Sequence, residues 1–359
     1  MDRAEIGQVL RKLVATDGPS GGESRIATVV QALCAPYATD VRADVMGSVV
    51  AHRAGATLPA PGRIMLAAHM DEIGLLVTKV EGTFLHVTAI GGVDPRTAIG
   101  QEVTVYATGP GCERYPDGLP GYLGGRPPHL LSGEERAKVV PMGDLRVDLG
   151  FPPAGCVLVG DRAVWRGPYT ELLGGRVAAK SLDNRASLAA MIGALGYLAQ
   201  GRHTWDVYAV ATVQEEVGLR GARASGFTLA PDIAVAIDVT FADTPGVNEE
   251  QTAPMDKGPS LAWGPNLHPG LVGRLRAAAE ALEMNYTMDP IPGASGTDAW
   301  ALQLVREGLP CGLVGIPIRY MHSPVEVVAL NDIDRAARLL AAFVSRLDDT
   351  VLASLAEEV

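Results

Sequence analysis

The chain has 359 residues, of which 47% are hydrophobic and 20% charged, and this composition predicts a globular protein of one or two domains. Its formal net charge of −11 argues against nucleic acid as a partner, because the field of the protein would repel the phosphate backbone. No apolar run reaches the length needed to span a bilayer, so a membrane is not an expected partner.

The cysteines and the first residues bear on the cellular compartment. Cys34, Cys112, Cys156 and Cys311 have no CxxC spacing and are too sparse for a disulfide framework. Residues 1–13 alternate charge and apolarity and lack the apolar core of a signal peptide. Both features predict a cytoplasmic protein.

Helical and strand patterns alternate at both ends of the chain. Apolar spacing predicts helices over 3–16, 23–36, 186–198, 271–284 and 331–355. Short apolar or β-branched runs predict strands over 64–68, 207–213, 233–237 and 313–318. This alternation predicts an α/β fold with a mostly parallel mixed sheet flanked by helices.

The pattern differs between about residues 74 and 170. Short strands are predicted over 77–80, 84–87, 102–106 and 157–159, separated by clusters of Gly and Pro. Many short strands with such turns predict a small β-barrel-like domain. We therefore expect an α/β domain made of residues 1–73 and 171–359, interrupted by a β-rich insertion of residues 74–170.

Five segments, far apart in sequence, place histidine or carboxylate side chains where apolar strands are predicted to end. They are AHMDE at 68–72, SLDNR at 181–185, QEEVG at 214–218, IDV at 237–239 and YMHSP at 320–324. Histidine and carboxylate ligands without a thiolate cluster suit a pair of divalent cations. Because two adjacent cations activate water for attack on a carbonyl, the pattern predicts a hydrolase.

Each of these residues, taken singly, has an ordinary structural interpretation. His69 could be a buried histidine with satisfied hydrogen bonds, and Asp183 could cap the helix predicted over 186–198. Glu215 and Glu216 could be a solvated acidic pair on a loop. The convergence of five such segments at strand ends favours a metal site.

The order of these motifs resembles that of the M42 family of metalloaminopeptidases, of the glutamyl or tetrahedral type. The shared motifs are HxDExG at 69–74, RPPHLL at 126–131, LDNR at 182–185, QEEVG at 214–218, GTDA at 296–299 and RYMHSP at 319–324. The resemblance runs nearly end to end. It implies an enzyme that removes amino-terminal residues from peptides, with two divalent metal ions in each subunit, zinc or cobalt.

The resemblance also implies which side chains hold the metals. His69, Asp183 and Asp238 match the ligands of one ion. Asp183, Glu216 and His322 match those of the other, so Asp183 would bridge the two ions.

Two further acids receive catalytic roles from the resemblance. Glu215 matches the general base that takes a proton from the metal-bound water and later gives it to the leaving amine. Asp71 matches a carboxylate that fixes the tautomer of His69. The acids Glu72, Glu215 and Asp238 are also candidate partners for the ammonium group of the substrate.

The family further implies a homo-oligomer, in which dimers form through the β-rich insertion and assemble into a dodecamer. Trp300 stands where the family commonly has a small or polar residue, which predicts an altered substrate pocket. Thr297 and Asp298 are equally compatible with helix capping and with contact to the substrate.

Two other functions stay open at this point. A carboxypeptidase or an N-acyl-amino-acid deacylase on the same scaffold would need a positive group for a substrate carboxylate, which Arg185 or Arg319 could supply. A non-catalytic or glycan-binding particle is the second alternative. The complete ligand set with Glu215 argues against a non-catalytic particle. A glycosidase would use two carboxylates without metals, so sensitivity to a chelator would distinguish it.

Overall fold

The computed structural model describes residues 1–153 and 155–358. Its α-helices are α1 (Arg3–Val14), α2 (Ser24–Cys34), α3 (Pro95–Ala98), α4 (Gly133–Arg136), α5 (Leu182–Leu198), α6 (Arg220–Leu229), α7 (Pro269–Ala281), α8 (Asp298–Leu302), α9 (Leu330–Ser345) and α10 (Val351–Glu357). Its strands are β1 (Asp40–Ala43), β2 (Val49–Arg53), β3 (Arg63–His69), β4 (Gly74–Glu81), β5 (Phe84–Ile90), β6 (Glu102–Tyr106), β7 (Leu119–Gly124), β8 (Arg146–Asp148), β9 (Arg162–Trp165), β10 (Thr170–Leu172), β11 (Arg176–Ala179), β12 (Asp206–Thr212), β13 (Ile233–Phe241), β14 (Ser260–Trp263), β15 (Thr287–Pro290), β16 (Cys311–Arg319) and β17 (Glu326–Ala329).

Eleven strands form one large mixed sheet, in the order β1-β2-β12-β3-β13-β16-β17-β11-β10, with β14 beside β16 and β15 beside β14. The central strands β12, β3, β13 and β16 are parallel to one another. Parallel neighbours need long crossover connections, and helices α5, α6 and α7 lie in those connections. The flanking strands pair antiparallel, except that β15 lies parallel to β14. The predicted α/β class is confirmed, with the parallel pairing concentrated at the centre.

Helix α5 lies between the large sheet and two other helices. It packs against β3 and β13 on one side and against α1 and α9 on the other. Nearly all its side chains are buried, which is typical of a helix that is apolar all round. This position brings the first turn of α5, with Asp183, to the edge of the sheet where β3 and β13 end.

Strands β4, β5, β8, β7, β6 and β9 close into an antiparallel barrel. The barrel has its own apolar core, which includes Leu75, Val87, Val105 and Val147. Along β7 the side chains alternate strictly between buried and exposed, as a closed barrel requires. The predicted inserted barrel is confirmed, while the exact limits at 74 and 170 stay a prediction.

Two predicted elements are wrong. Residues 157–159 form a loop rather than a strand, because the Asp161 carboxylate accepts the N–H of Leu158 and the hydroxyl proton of Thr108. The helix predicted over 331–355 is divided into α9 and α10. Between the two helices, Asp348 accepts the N–H and the hydroxyl proton of Thr350, a local bond that competes with a continuous helix.

None of the helices in the described ranges combines the length and the apolar character needed to cross a membrane.

Candidate metal centre

Four neighbouring strands bring candidate ligands to one edge of the large sheet. His69 is the last residue of β3, and Asp238 lies in β13, the strand beside it. Glu215 follows β12, and His322 follows β16. Parallel strands present their carboxyl ends at the same edge, so the apolar strands deliver these side chains to one place.

Asp183 lies between the two histidines. Its Oδ1 is 3.1 Å from Nε2 of His69, and its Oδ2 is 3.3 Å from Nε2 of His322. The residue has non-helical torsion angles (φ −77°, ψ 102°), and Ser181 occupies the N-cap position of α5. Asp183 is therefore not a simple helix cap, because each of its oxygens faces a different imidazole.

The other predicted ligands lie around the same three side chains. Asp238 Oδ1 is 3.8 Å from Nε2 of His69, and Glu216 Oε2 is 3.6 Å from Nε2 of His322. Ligand atoms that share a tetrahedral zinc ion at about 2.0–2.1 Å lie roughly 3.3 Å apart, which is close to these separations. Among the described residues, three groups have ligand atoms within 4.8 Å of one another: His69–Asp183–Asp238, Asp183–Glu216–His322 and His69–Glu215–Glu216.

The tautomer of His69 follows from its surroundings. Nδ1 lies 3.1 Å from the backbone carbonyl oxygen of Asp71. A carbonyl oxygen only accepts, so Nδ1 donates and Nε2 is left to face Asp183. The Asp71 carboxylate is farther from the ring, at 3.6 Å from Nδ1.

The Asp71 carboxylate instead accepts hydrogen bonds from two backbone amides and one hydroxyl group. Its Oδ1 accepts the N–H of Glu215 at 3.0 Å, and its Oδ2 accepts the N–H of Glu216 at 3.2 Å. The hydroxyl group of Ser20 donates to Oδ2 at 2.6 Å. One buried carboxylate thus fixes the backbone of both acidic residues after β12.

Two more buried acids, Glu23 and Glu326, hold the site in the same way, and the sequence analysis missed both. Glu23 accepts the N–H of Gln214 at 3.1 Å. Glu326 accepts the N–H of Asp183 at 2.9 Å and that of His322 at 3.0 Å.

The residues held by these acids include two with strained backbones. Gln214 has φ 55° and His322 has φ 61°, values that are uncommon for residues other than glycine. Such strain persists only where the surroundings hold it.

A charged residue inside the apolar run EVVA of β17 was the available signal for Glu326.

Three charged residues considered in the sequence analysis do not face the cavity at this centre. Glu72 accepts from Lys180 at 2.6 Å and lies 3.6 Å from Arg185, which is completely buried. Arg319 is bonded to Asp243, at 3.0 Å from its carboxylate. Glu72 is therefore unsuited to bind a substrate ammonium group, and neither arginine is placed to bind a substrate carboxylate.

Without bound cations, several carboxyl groups lie close together at this centre, and their negative charges repel one another. Burial raises the pKa of Glu215 to about 10, with the charge of Asp238 adding to the rise and His69 opposing it. Burial and the charge of Asp183 raise the pKa of Glu216 to about 7. A hydrogen bond to Asp183 raises the pKa of His322 to about 9. Divalent cations would relieve this crowding, so the donor set fits them.

A cavity of about 540 Å³ opens at the centre. His69, Asp183, Glu215, Asp238 and His322 all line it, together with Glu216. Gly92, in the barrel loop after β5, also lines it, and a Cβ at that position would collide with Nδ1 of His322. The barrel therefore contributes one wall of the cavity.

The residues near α8 have different positions. Thr297 lines the cavity, whereas Asp298 is buried and accepts the hydroxyl proton of Thr212 at 2.6 Å. Trp300 is not among the lining residues, so the structure gives no support to its predicted effect on the substrate pocket.

Known proteins are similar to this chain in sequence and in fold. Residues 47–339 match the family described as M42 glutamyl aminopeptidase. The lysyl aminopeptidase of Pyrococcus furiosus is 36% identical over 348 residues, which are 95% of this chain and 97% of that protein. The aminopeptidase APDkam598 of the archaeon Desulfurococcus kamchatkensis has a TM-score of 0.89 and 37% identity, with 98% of each chain covered.

A further solved structure is that of the TET1 peptidase of Pyrococcus horikoshii, described as assembling into a tetrahedron or a large octahedral shell. It has a TM-score of 0.81 and 30% identity, with 95% of this chain and all (100%) of that chain covered. The family match spans most of the sequence, and the relatives are aminopeptidases, which are exopeptidases that hydrolyse peptides. This chain belongs to the M42 glutamyl aminopeptidase family.

Proposed function

We propose that this aminopeptidase works with two divalent cations, zinc or cobalt, that share Asp183. His69 and Asp238 complete one ligand set, and Glu216 and His322 complete the other. The observation that supports this proposal best is the position of Asp183, whose two oxygens face two different imidazoles at 3.1 and 3.3 Å. A carboxylate so placed can give one oxygen to each ion.

When bound, two such cations polarise the peptide carbonyl and lower the pKa of water. Glu215 then takes the proton that the attacking water loses and delivers it to the nitrogen of the leaving amine. Its carboxylate lines the cavity, and its Oε2 lies 3.9 Å from Nε2 of His69. Asp71 positions Glu215 through the backbone amide, and Glu326 does the same for Asp183 and His322.

The cavity favours the amino end of a peptide over its carboxyl end. Five of its lining residues are acidic, and none of the lining residues is Lys or Arg. A carboxypeptidase or deacylase needs a cation for the carboxylate of its substrate, and Arg185 and Arg319 are engaged elsewhere. The ammonium group at the amino end of a peptide would instead face the acidic residues that line the cavity.

We expect stepwise removal of residues from the amino end of a free peptide and no cleavage of the same peptide after N-acetylation. Acetylation removes the positive charge that the acidic cavity attracts. Mass spectrometry of both digests gives the result directly. Removal of residues from the carboxyl end would instead identify the protein as a carboxypeptidase.

Sensitivity to a chelator, with recovery on adding zinc or cobalt, separates this proposal from a glycosidase. A glycosidase needs two carboxylates and no metal.

We also propose that the chain forms a homo-oligomer through its barrel, as dimers that assemble into a dodecamer. The barrel exposes large apolar side chains, among them Leu158 and Val159, which are 43% and 68% exposed. Exposed apolar patches are typical of association surfaces. The TET1 peptidase of Pyrococcus horikoshii, which is 30% identical, is described as forming such shells.

The double variant Leu158→Asp/Val159→Asp is therefore expected to form a smaller species than the wild type, because two buried charges would destabilise an apolar contact. Light scattering coupled to size-exclusion chromatography measures the mass. Val45→Asp is the matched control, since Val45 is 99% exposed on the α/β part of the chain. An unchanged mass of the double variant would contradict assembly through this surface.

A further inference from the structure

The cavity extends from the metal centre along a second wall made by β13, β16, β14 and β15. Thr240, Ser260, Asp289 and Gly315 line this wall, one from each strand. Asp238 pairs with Gly315 across β13 and β16, and Gly315 pairs with Ser260 across β16 and β14. The wall therefore begins at a proposed metal ligand.

Gly315 keeps this part of the cavity open. A Cβ at this position would collide with Oγ of Ser260 and lie 3.2 Å from Cγ2 of Thr240. The hydroxyl group of Ser260 is buried and has no hydrogen-bond partner within the described residues. A buried polar atom at a cavity wall without a partner indicates a ligand that supplies one.

Asp289 adds a negative charge to the same wall. Thr240 donates to its Oδ2 at 3.1 Å, which links the carboxylate to the strand that carries Asp238. Across the described ranges, no Lys, Arg or His forms an ion pair with Asp289. No Lys or Arg lines the cavity, so neither residue type balances the charge of Asp289 there.

The metal centre does not neutralise this charge. The five acidic lining residues are Asp183, Glu215, Glu216, Asp238 and Asp289. Two divalent cations would be held by Asp183, Glu216 and Asp238 together with the two histidines, whereas Asp289 belongs to neither proposed ligand set.

Apolar residues also lie beside Asp289. Ala262, Ile291 and Leu313 line the cavity beside it, and Ala262 pairs directly with Asp289. An aliphatic stem with a positive end fits such a space, because the stem contacts the apolar wall while the end meets the carboxylate.

We infer that this wall is the subsite for the side chain of the amino-terminal residue, and that it selects lysine or arginine. Asp289 accepts hydrogen bonds from the positive end, and the hydroxyl oxygen of Ser260 accepts another. The inference rests on the proposed function, since it places the scissile bond at the metal centre. A glutamyl side chain would face Asp289 with like charge, so the glutamyl preference in the family description does not extend to this chain.

The test compares kcat/KM for p-nitroanilides of lysine, norleucine, leucine and glutamate. Norleucine has the stem of lysine without its amine, so the lysine-to-norleucine ratio isolates the charge. We expect lysine to be favoured in the wild type and Asp289→Asn to lower that ratio roughly ten- to a hundredfold, as for a charge-assisted hydrogen bond. Glu250→Gln, an exposed acid outside the cavity, is the matched control and should keep the ratio.

Other results would overturn the inference. A wild type that hydrolyses leucine but does not favour lysine over norleucine has no such subsite. An equal loss for all substrates in Asp289→Asn would place the α-ammonium group, not the side chain, at Asp289. If no anilide is hydrolysed, the proposed function is wrong. Calorimetry then tests the subsite alone, by comparing the binding of free lysine with that of free norleucine. Tighter binding of free lysine than norleucine supports it, and equal binding contradicts it.

Discussion

Replacing Glu215 with glutamine is expected to lower kcat roughly 10²- to 10⁴-fold while both cations stay bound. Glutamine has nearly the same shape as glutamate but cannot take up the proton that water loses. The backbone of this residue is fixed by the Asp71 carboxylate, which accepts its N–H at 3.0 Å. The substitution leaves that bond in place, so the loss would come from the side chain alone.

Glu216→Gln is the matched control, because it makes the same change one residue along, where Asp71 holds the backbone in the same way. We expect this variant to lose metal as well as activity, since Glu216 lies 3.6 Å from His322 in the second ligand set. Steady-state kinetics and elemental analysis of both variants decide the matter. Full metal content in Glu216→Gln with depleted metal in Glu215→Gln would reverse the two roles.

The meeting of the candidate ligands was predictable from sequence because strand ends in a parallel sheet converge. His69 is the last residue of an apolar strand and Asp238 follows five apolar residues of another, and such runs are visible without a structure. Asp183 was predictable only through the motif that it shares with the family. Its own local signal, a carboxylate near the start of a helix, is equally that of a cap.

The acids that hold the backbone could not be predicted in the same way. Glu326 contacts amides 143 and 4 residues away, and Glu23 contacts one 191 residues away. No spacing rule links such partners, because a backbone amide is present at almost every residue and only the fold decides which one faces a carboxylate. Asp289 is similar, since it reaches the cavity only through the pairing of β15 with β14.

The charges of Glu72 and Arg185 suggested contacts with the substrate that the structure does not support. Both are close in sequence to proposed ligands, which suggested that they face the substrate. In the structure Glu72 forms ion pairs with both Lys180 and Arg185, and Arg185 is completely buried. Neighbours along a strand end or a helix point in different directions, so proximity in sequence does not give a shared environment.

Asp183→Ala is expected to lose more metal than either His69→Ala or His322→Ala. The carboxylate of Asp183 faces both imidazoles, whereas each imidazole belongs to one proposed ligand set. Removing the shared ligand should weaken both ions, and removing one histidine should leave the other ion in place. Elemental analysis after dialysis should give about two ions per subunit in the wild type and about one in each histidine variant. Asp183→Ala should retain less than one.

The backbone around Asp183 makes this comparison interpretable. Glu326 holds the N–H of Asp183 and that of His322, and neither bond involves a side chain that the three substitutions remove. A thermal unfolding curve for each variant separates loss of metal from loss of fold. Equal metal loss in all three folded variants would contradict a shared carboxylate. The two ions would then be lost together whichever ligand is removed. The position of Asp183 between the two histidines would have no special effect on metal binding.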